Sequence, residues 1–453
     1  MNRYLIWPVM SALLLMSACQ QDFMDAKPDK ALVVPTTIVD YQAILDNFNT
    51  MNTPGLNLIA GDEFVTTDQM YQALEQVERQ TYLWADDLYE GGSSTDWESC
   101  YKAVFTANIV LEGAAKLAGE APSTELDNLL GYAYFYRANA FYGLAQQFAP
   151  AYEPQNAHAQ MGIPLKLSAQ VTTTEPRATL QQTYQQILSD LEQSQKLITS
   201  ESVWRNRPSR AAALALKARV YLAMGAYDLA EQNASASLAI NGQLVDFNEL
   251  DAKASLTFPD SPRQANKEVI FYGRMNFYLF FFTPYYQVDP VLYASYDSTD
   301  LRKQCYYDTL ADGAVWYKGS YAGSFGFFSG LANDELYLIR AECRARQGDT
   351  APALADLNTL LEKRYKKGTF KPVQASEPSQ ALRVIIAERR KELVARGIRW
   401  TDLRRLNREK EFETLIRRRI DGKNYVLAPG SLKYTFPIPE NEISASGIQQ
   451  NPR

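Results

Sequence analysis

Two stretches of the chain carry the same skeleton of small residues. "LALKARVYLAMGAYDLAEQNASASL" holds Ala218, Gly225, Ala230 and Leu238, and 123 residues later "YLIRAECRARQGDTAPALADLNTLL" holds Ala341, Gly348, Ala353 and Leu361 at the same spacing. Such a repeat constrains a fold more tightly than composition does, because each copy must be one supersecondary unit that buries its apolar face on a neighbour. Alanine lets two helix backbones approach, and glycine can take the left-handed conformation that ends the first helix. The spacing therefore predicts two tetratricopeptide-like helix pairs, the second helix of each opening near "YD" or "DT". The copies lie more than one repeat period apart, so the sequence alone does not join them into a continuous solenoid.

Helical periodicity continues outside the repeat. After Thr37, Ile44, Leu45 and Phe48 begin a stripe; Trp97, Tyr101, Val104, Phe105, Ile109 and Leu111 form a broad one. Ser123 or Thr124 is placed to cap a third helix, and Leu180, Tyr184, Ile187, Leu188 and Leu191 mark a fourth. Residues 241–330 break the pattern with Gly, Pro, Asn, Asp and aromatics, which predicts short strands and long loops. Loops inserted in a helical scaffold commonly carry binding. The expected fold class is mainly α: helix pairs forming a scaffold, with a loop-rich insertion carrying short strands. At 453 residues and 46% hydrophobic there is ample material for a core.

Residue counts exclude several chemistries. The single histidine, His158, leaves no HExxH zinc motif and no His-rich metal site, and its polar setting predicts a surface loop. Cys100, Cys305 and Cys343 show no CxxC spacing and read as buried free thiols rather than a disulfide framework, with one pair still able to form in an oxidising compartment and no metal signal. No cofactor or metal is expected.

A net charge of −6 argues against a polyanionic partner. The run "AERRKELVARGIRWTDLRRLN" at 387–407 tests that reading. Here Glu388 can pair with Lys391 and Glu392 with Arg396. Gly397 should break the helix, Thr401 should cap the next, and Leu403 and Leu406 should point inward around a wedged Trp400. The excess of basic residues predicts a positive face, but one without the stacking aromatics of a single-strand binder, so no nucleic acid is expected.

The N-terminus reads as a targeting segment. Arg3 leads an apolar run too short to span a bilayer, ending in Ser17-Ala18-Cys19. This resembles a bacterial lipobox, with Met16 where Leu is usual. Residues 1–18 are then a lipoprotein signal peptide, Cys19 carries the lipid, and 19–38 form a polar tether leading into one domain over 39–453.

Several segments together resemble the SusD/RagB family of outer-membrane nutrient-binding lipoproteins of Bacteroidetes. They are "FMDAKPDKALVVPTTIVDYQAILDN", "MGIPLKL" with the helix after it, the first repeat copy, "DELYLIRAECRARQGDTAPALADLNTLLEKR", "IIAERRKELVARGIRWTDLRRLN" and "FPIPENEIS" ending in "QQNP", all in the family's order. The resemblance spans nearly the whole chain and is weakest over 241–330. It implies four tetratricopeptide-like helix pairs and a lipid anchor in the outer membrane, facing the exterior. Asp22 and Asp25 after the lipidated Cys are a partial match to the family's surface-display signal. The resemblance also implies a role as lid over a SusC-like TonB-dependent transporter, capturing oligosaccharide or peptide, and no enzyme activity.

Sugar binding needs aromatic faces for the C–H side of pyranose rings and polar groups for hydroxyls. Two regions offer them. In "YLWADDLYEGGSSTDW", Trp84 and Tyr89 flank Asp86 and Asp87, while Trp97 belongs to a helical stripe. In the insertion, Tyr285, Tyr286, Trp316 and Tyr317 are candidates. No motif sets two carboxyls across a glycosidic bond. A glycan hydrolase and a transporter-free helical-repeat adaptor are the alternatives.

Overall fold

Thr37 opens the first helix with a reciprocal cap: its hydroxyl accepts from the Asp40 amide at 3.2 Å, and the Asp40 carboxylate accepts from the Thr37 amide at 3.0 Å. This is a computed structural model, describing residues 35–117, 123–171, 174–259 and 266–453. The expected signal peptide, Cys19 and most of the tether lie outside the described residues. Residues 37–453 form one unit.

The longer helices run α1 (Ile38–Asp46), α2 (Thr95–Leu117), α3 (Thr124–Phe148), α4 (Leu180–Leu197), α5 (Arg210–Met224), α6 (Tyr227–Ile240), α7 (Asn333–Gln347), α8 (Thr350–Glu362), α9 (Pro378–Glu392) and α10 (Arg399–Leu406). Ser123 caps α3 and Thr179 caps α4 through hydroxyls that accept from the third amide onward. The repeat takes its expected form. α5 and α7 end at Gly225 and Gly348, with φ of +75° and +94°, and Ala218, Ala230, Ala341 and Ala353 are fully buried between paired helices.

Each helix from α2 to α8 packs on the next, and this includes α6 on α7, although residues 241–332 intervene. The two repeat copies are therefore neighbours in one stack, which their separation in sequence concealed. Antiparallel pairing of the strands Val269–Phe271 and Leu331–Ala332 draws the insertion's base together just before α7. On α2 the stripe of large residues proves only partly right. Trp97 and Val104 are buried, but Tyr101, Phe105, Ile109 and Leu111 are half-buried, and the fully buried face runs through Cys100, Ala103, Ala107, Val110 and Ala114. Small residues mark the seam because they permit close approach.

The basic run holds the largest correction. Instead of a positive face, its arginines turn inward to carboxylates. Arg389 meets Asp402 at 2.8 Å, Arg396 meets Asp334 at 3.1 Å, Arg405 reaches Asp402 and Glu342, and Arg404 donates to the Gln146 and Ala149 carbonyls. The Glu388–Lys391 pair forms. Glu392 does not pair with Arg396; its two oxygens accept from Arg302 at 3.0 Å and Arg364 at 2.7 Å, all three residues being buried. Arg302 also pairs with Asp300 and Glu388, and Arg364 with Glu268. These bonds clamp the insertion onto α9. Gly397, at φ +69°, follows the end of α9, but Thr401 lies inside α10, whose cap position is Ile398. Trp400 is buried against Tyr434 and Phe436. His158 is exposed in a turn, and Cys100, Cys305 and Cys343 are buried thiols.

Glu63 is a buried carboxyl with no cation paired to it. Burial, with the adjacent Asp62 charge, pushes Glu63 up to about 8, while Asp62 overcomes its own burial through Arg399 and Arg390 and stays below the usual range. Between the ordinary value near 4.5 and 8, the folded state keeps a proton on Glu63 that the unfolded chain releases. Stability from this group is thus full below that window and falls as pH rises through it, by at most about 1.4 kcal/mol per unit. Glu63→Gln is expected to flatten the fall in melting temperature between pH 5 and 8; an unchanged slope would refute this assignment.

Candidate functional site

The insertion builds a cleft from turns and a two-stranded ribbon. The strand Tyr307–Thr309 pairs antiparallel with Val315–Tyr317, setting Trp316 opposite Asp308 and Tyr317 opposite Tyr307. Tyr317 is buried and its hydroxyl donates to the Gly319 carbonyl at 2.7 Å, while Trp316 is half-buried. Phe281 and Phe327 stack at 4.9 Å as a buried floor. Phe282 and Phe325 form the rim, exposed to 38% and 61% respectively, and Phe277, 51% exposed, packs edge-on to Phe282 at 4.4 Å. Together with Tyr286, Thr283 and Ser320, these rings, Phe277 excepted, line a cleft of about 260 Å³, roughly the room one sugar ring or one large side chain occupies.

Polar capacity in the cleft is limited. Lys318 donates to the Ala252 and Ala254 carbonyls at 2.8 and 3.1 Å, and the Ser320 hydroxyl donates to Gly326. The Tyr286 hydroxyl faces the Tyr317 backbone. Ser324 differs: its hydroxyl oxygen is buried and has no hydrogen-bond partner.

What holds these rings in place is Asp96, at the start of α2. Its carboxylate accepts from the Gly55 and Leu56 amides, from Gln147, from Asn276 at 2.8 Å and from the Tyr278 hydroxyl at 2.9 Å. Asn276 and Tyr278 are thereby fixed to the helical stack, on either side of exposed Phe277. Burial raises the Asp96 carboxyl, and these five donors oppose that.

The expected site residues divide between two places. Trp316 and Tyr317 line the cleft; Tyr285 is half-buried beside Tyr286, with its carbonyl accepting from Thr66. The other group lies elsewhere, and none of it lines the cleft. Trp84 is buried at φ +53°, its indole donating to the Ala60 carbonyl at 3.0 Å and its ring covered by the Arg418 guanidinium. Tyr89 is also buried. Asp87 accepts from two turn amides, and exposed Asp86 pairs with Lys433 at 2.9 Å. Trp84 and Tyr89 thus offer no face to a ligand in this structure. Phe282, Phe325 and Ser324 were not among the expected residues. Their signal was present: "FFFTP" and "GSFGFF" are apolar runs without helical period, bounded by Gly or Pro.

With this geometry in hand, the relatives take on meaning. A family model described as starch-binding and associating with the outer membrane matches residues 22–222, and the SusD family model matches 334–453. The matches together take in over two thirds of the chain and leave residues 223–333, with the cleft, between them. A SusD-like protein of Formosa agariphila is 24% identical over 390 residues, covering 70% of this chain and 74% of its own. A SusD superfamily protein from Bacteroides thetaiotaomicron, 21% identical, superposes with a TM-score of 0.70 over 92% of this chain and all of that one. A sugar-binding protein assigned in Bacteroides vulgatus, 20% identical, gives 0.73 over 92% and 99%. The mainly helical fold is common to them. Among the described residues, no helix is long and apolar enough to cross a membrane.

Proposed function

Because the chain belongs to the SusD/RagB family, we propose that it is a nutrient-binding lipoprotein anchored through Cys19 on the outer face of the outer membrane. In this role it captures oligosaccharide in the aromatic cleft and passes it to a SusC-like TonB-dependent transporter, over which it sits as a lid. It acts by binding and breaks no bond in its ligand. The observation that carries the ligand assignment is the partly exposed ring set Trp316, Phe282 and Phe325. Flat faces accept the C–H side of a sugar ring. The lining is also rich in phenyl rings and poor in planar polar groups, which favours apolar peptide side chains as the second ligand class.

Trp316→Ala and Phe325→Ala are each expected to weaken binding on a glycan or peptide array about tenfold or more, with melting temperature little changed. Asp86→Ala should bind as the native protein does. The reverse pattern, binding lost with Asp86→Ala and kept with Trp316→Ala, would move the site to the 84–89 loop. For the lid role, tagged protein recovered from native outer membranes should bring a large β-barrel with it; its repeated absence counts against a transporter partner.

A further inference from the structure

We propose that the aromatic cleft receives an uncharged acyl group of the aryl-ester class, carried by the oligosaccharide, while the sugar bearing it rests at the mouth against Trp316 and Asp308. This rests on the oligosaccharide reading above and narrows it to a substrate class. The polar side chains of the lining are committed to the protein itself. Lys318 spends its ammonium on the Ala252 and Ala254 carbonyls. The Ser320 hydroxyl donates to the Gly326 carbonyl and accepts from the Ala322 and Phe328 amides at 3.2 Å each. The Tyr286 hydroxyl donates to the Tyr317 carbonyl and accepts from the Tyr317 amide, and the Tyr317 hydroxyl donates to Gly319. Ser324 Oγ is buried. That leaves exposed Thr283 and half-buried Trp316 to offer a polar group from a side chain.

A bare sugar ring inside the cleft would strand most of its hydroxyls, a cost that stacking on rings does not offset. An aromatic acyl group has no such cost, and the rings are arranged to hold one. Phe327 lies 28° from the plane of Phe281 and meets Tyr286 and Tyr317 edge-on, at 84° to each. Flat and perpendicular walls together offer offset-stacked and edge-to-face contacts to one planar guest, and about 260 Å³ is room for one. At the mouth the chemistry changes. Asp308 lies opposite Trp316 on the ribbon, with its side chain 52% exposed. Its Oδ1 accepts from the Thr309 amide, while Oδ2, 3.9 Å from Lys318 Nζ, can accept from sugar hydroxyls. A ring face beside a carboxylate suits a sugar body, and the same carboxylate repels uronic acids and sulfated sugars.

The test titrates the full-length protein in detergent with matched pairs of neutral oligosaccharides. One member of each pair carries benzoyl, hydroxycinnamoyl or acetyl esters; the other is the same preparation after mild saponification. In at least one pair the aryl ester is expected to bind about tenfold or more tightly than its saponified form, with the acetyl ester between them. Phe325→Ala, at an exposed rim position, should shrink that ratio, and Asp308→Ala should weaken both members alike. Equal affinity within every pair, still lost in Trp316→Ala, would overturn the acyl assignment and leave the oligosaccharide reading standing. Tighter binding of uronic or sulfated oligomers than of neutral ones would do the same. Binding of aromatic peptides alone, or of nothing offered, would overturn both.

Discussion

Glu392→Ala is expected to lower the unfolding free energy by about 3–5 kcal/mol, read as a lower midpoint in guanidinium chloride. Its carboxylate sits where insertion and helical stack meet, with one oxygen held by Arg302 and the other by Arg364. Both guanidiniums are fully buried, and neither can turn to water when its acceptor disappears. Asp300, Glu388 and Glu268 still neutralise charge, so the loss comes from two stranded N–H donors and from the space left behind. Glu392→Gln keeps the volume and one acceptor oxygen and should fall between. Arg383→Ala breaks an ion pair exposed at both ends, Arg383–Glu411, and should change stability by no more than about 1 kcal/mol. Equal effects at the two sites would mean that the buried clamp contributes nothing special.

Trp400→Ala carries a similar expected loss, about 3–5 kcal/mol, from a different cause. The indole is 1% exposed and packs against Tyr434 at 4.8 Å and Phe436 at 5.6 Å, sealing the C-terminal segment onto α10. Removing it leaves a cavity between α10 and the C-terminal segment that Tyr434 and Phe436 cannot easily close. Amide exchange should therefore quicken around residues 434–438 ahead of global unfolding. Its Nε1 has no hydrogen-bond partner, so Trp400→Phe removes an unsatisfied donor and should be far milder. A uniform rise in exchange over the chain would argue against a local seal.

The sequence was most legible where one residue type answers to one physical demand. Gly225 and Gly348 end helices in the left-handed region, Thr37 and Ser123 cap, and the alanines of the repeat lie where helices touch. Legibility failed where the partner is distant in sequence. Arg396 and Arg405 read as a charged face because Asp334 and Glu342 come from another helix, and Glu392 finds Arg302 ninety positions away. The adjacency of α6 and α7 was hidden in the same way, by an insertion whose ends meet through the strands Val269–Phe271 and Leu331–Ala332. At the site, the rings expected were those of Trp and Tyr, which also carry a polar handle. Yet Trp84 uses its handle on Ala60 in the interior, while the exposed faces of the cleft belong largely to phenylalanines. Whether a ring is floor or rim depends on the loop path that Asp96 fixes through Asn276 and Tyr278, and no local pattern encodes it.

The most direct test of the account is calorimetric titration of the protein with panels of oligosaccharides and peptides, each mixture analysed afterwards for cleavage. The account predicts saturable heat with at least one oligomer, every bond of that oligomer intact, and the heat abolished or greatly reduced in Trp316→Ala. Silence across both panels, binding unaffected by Trp316→Ala, or ligand recovered in fragments would contradict it.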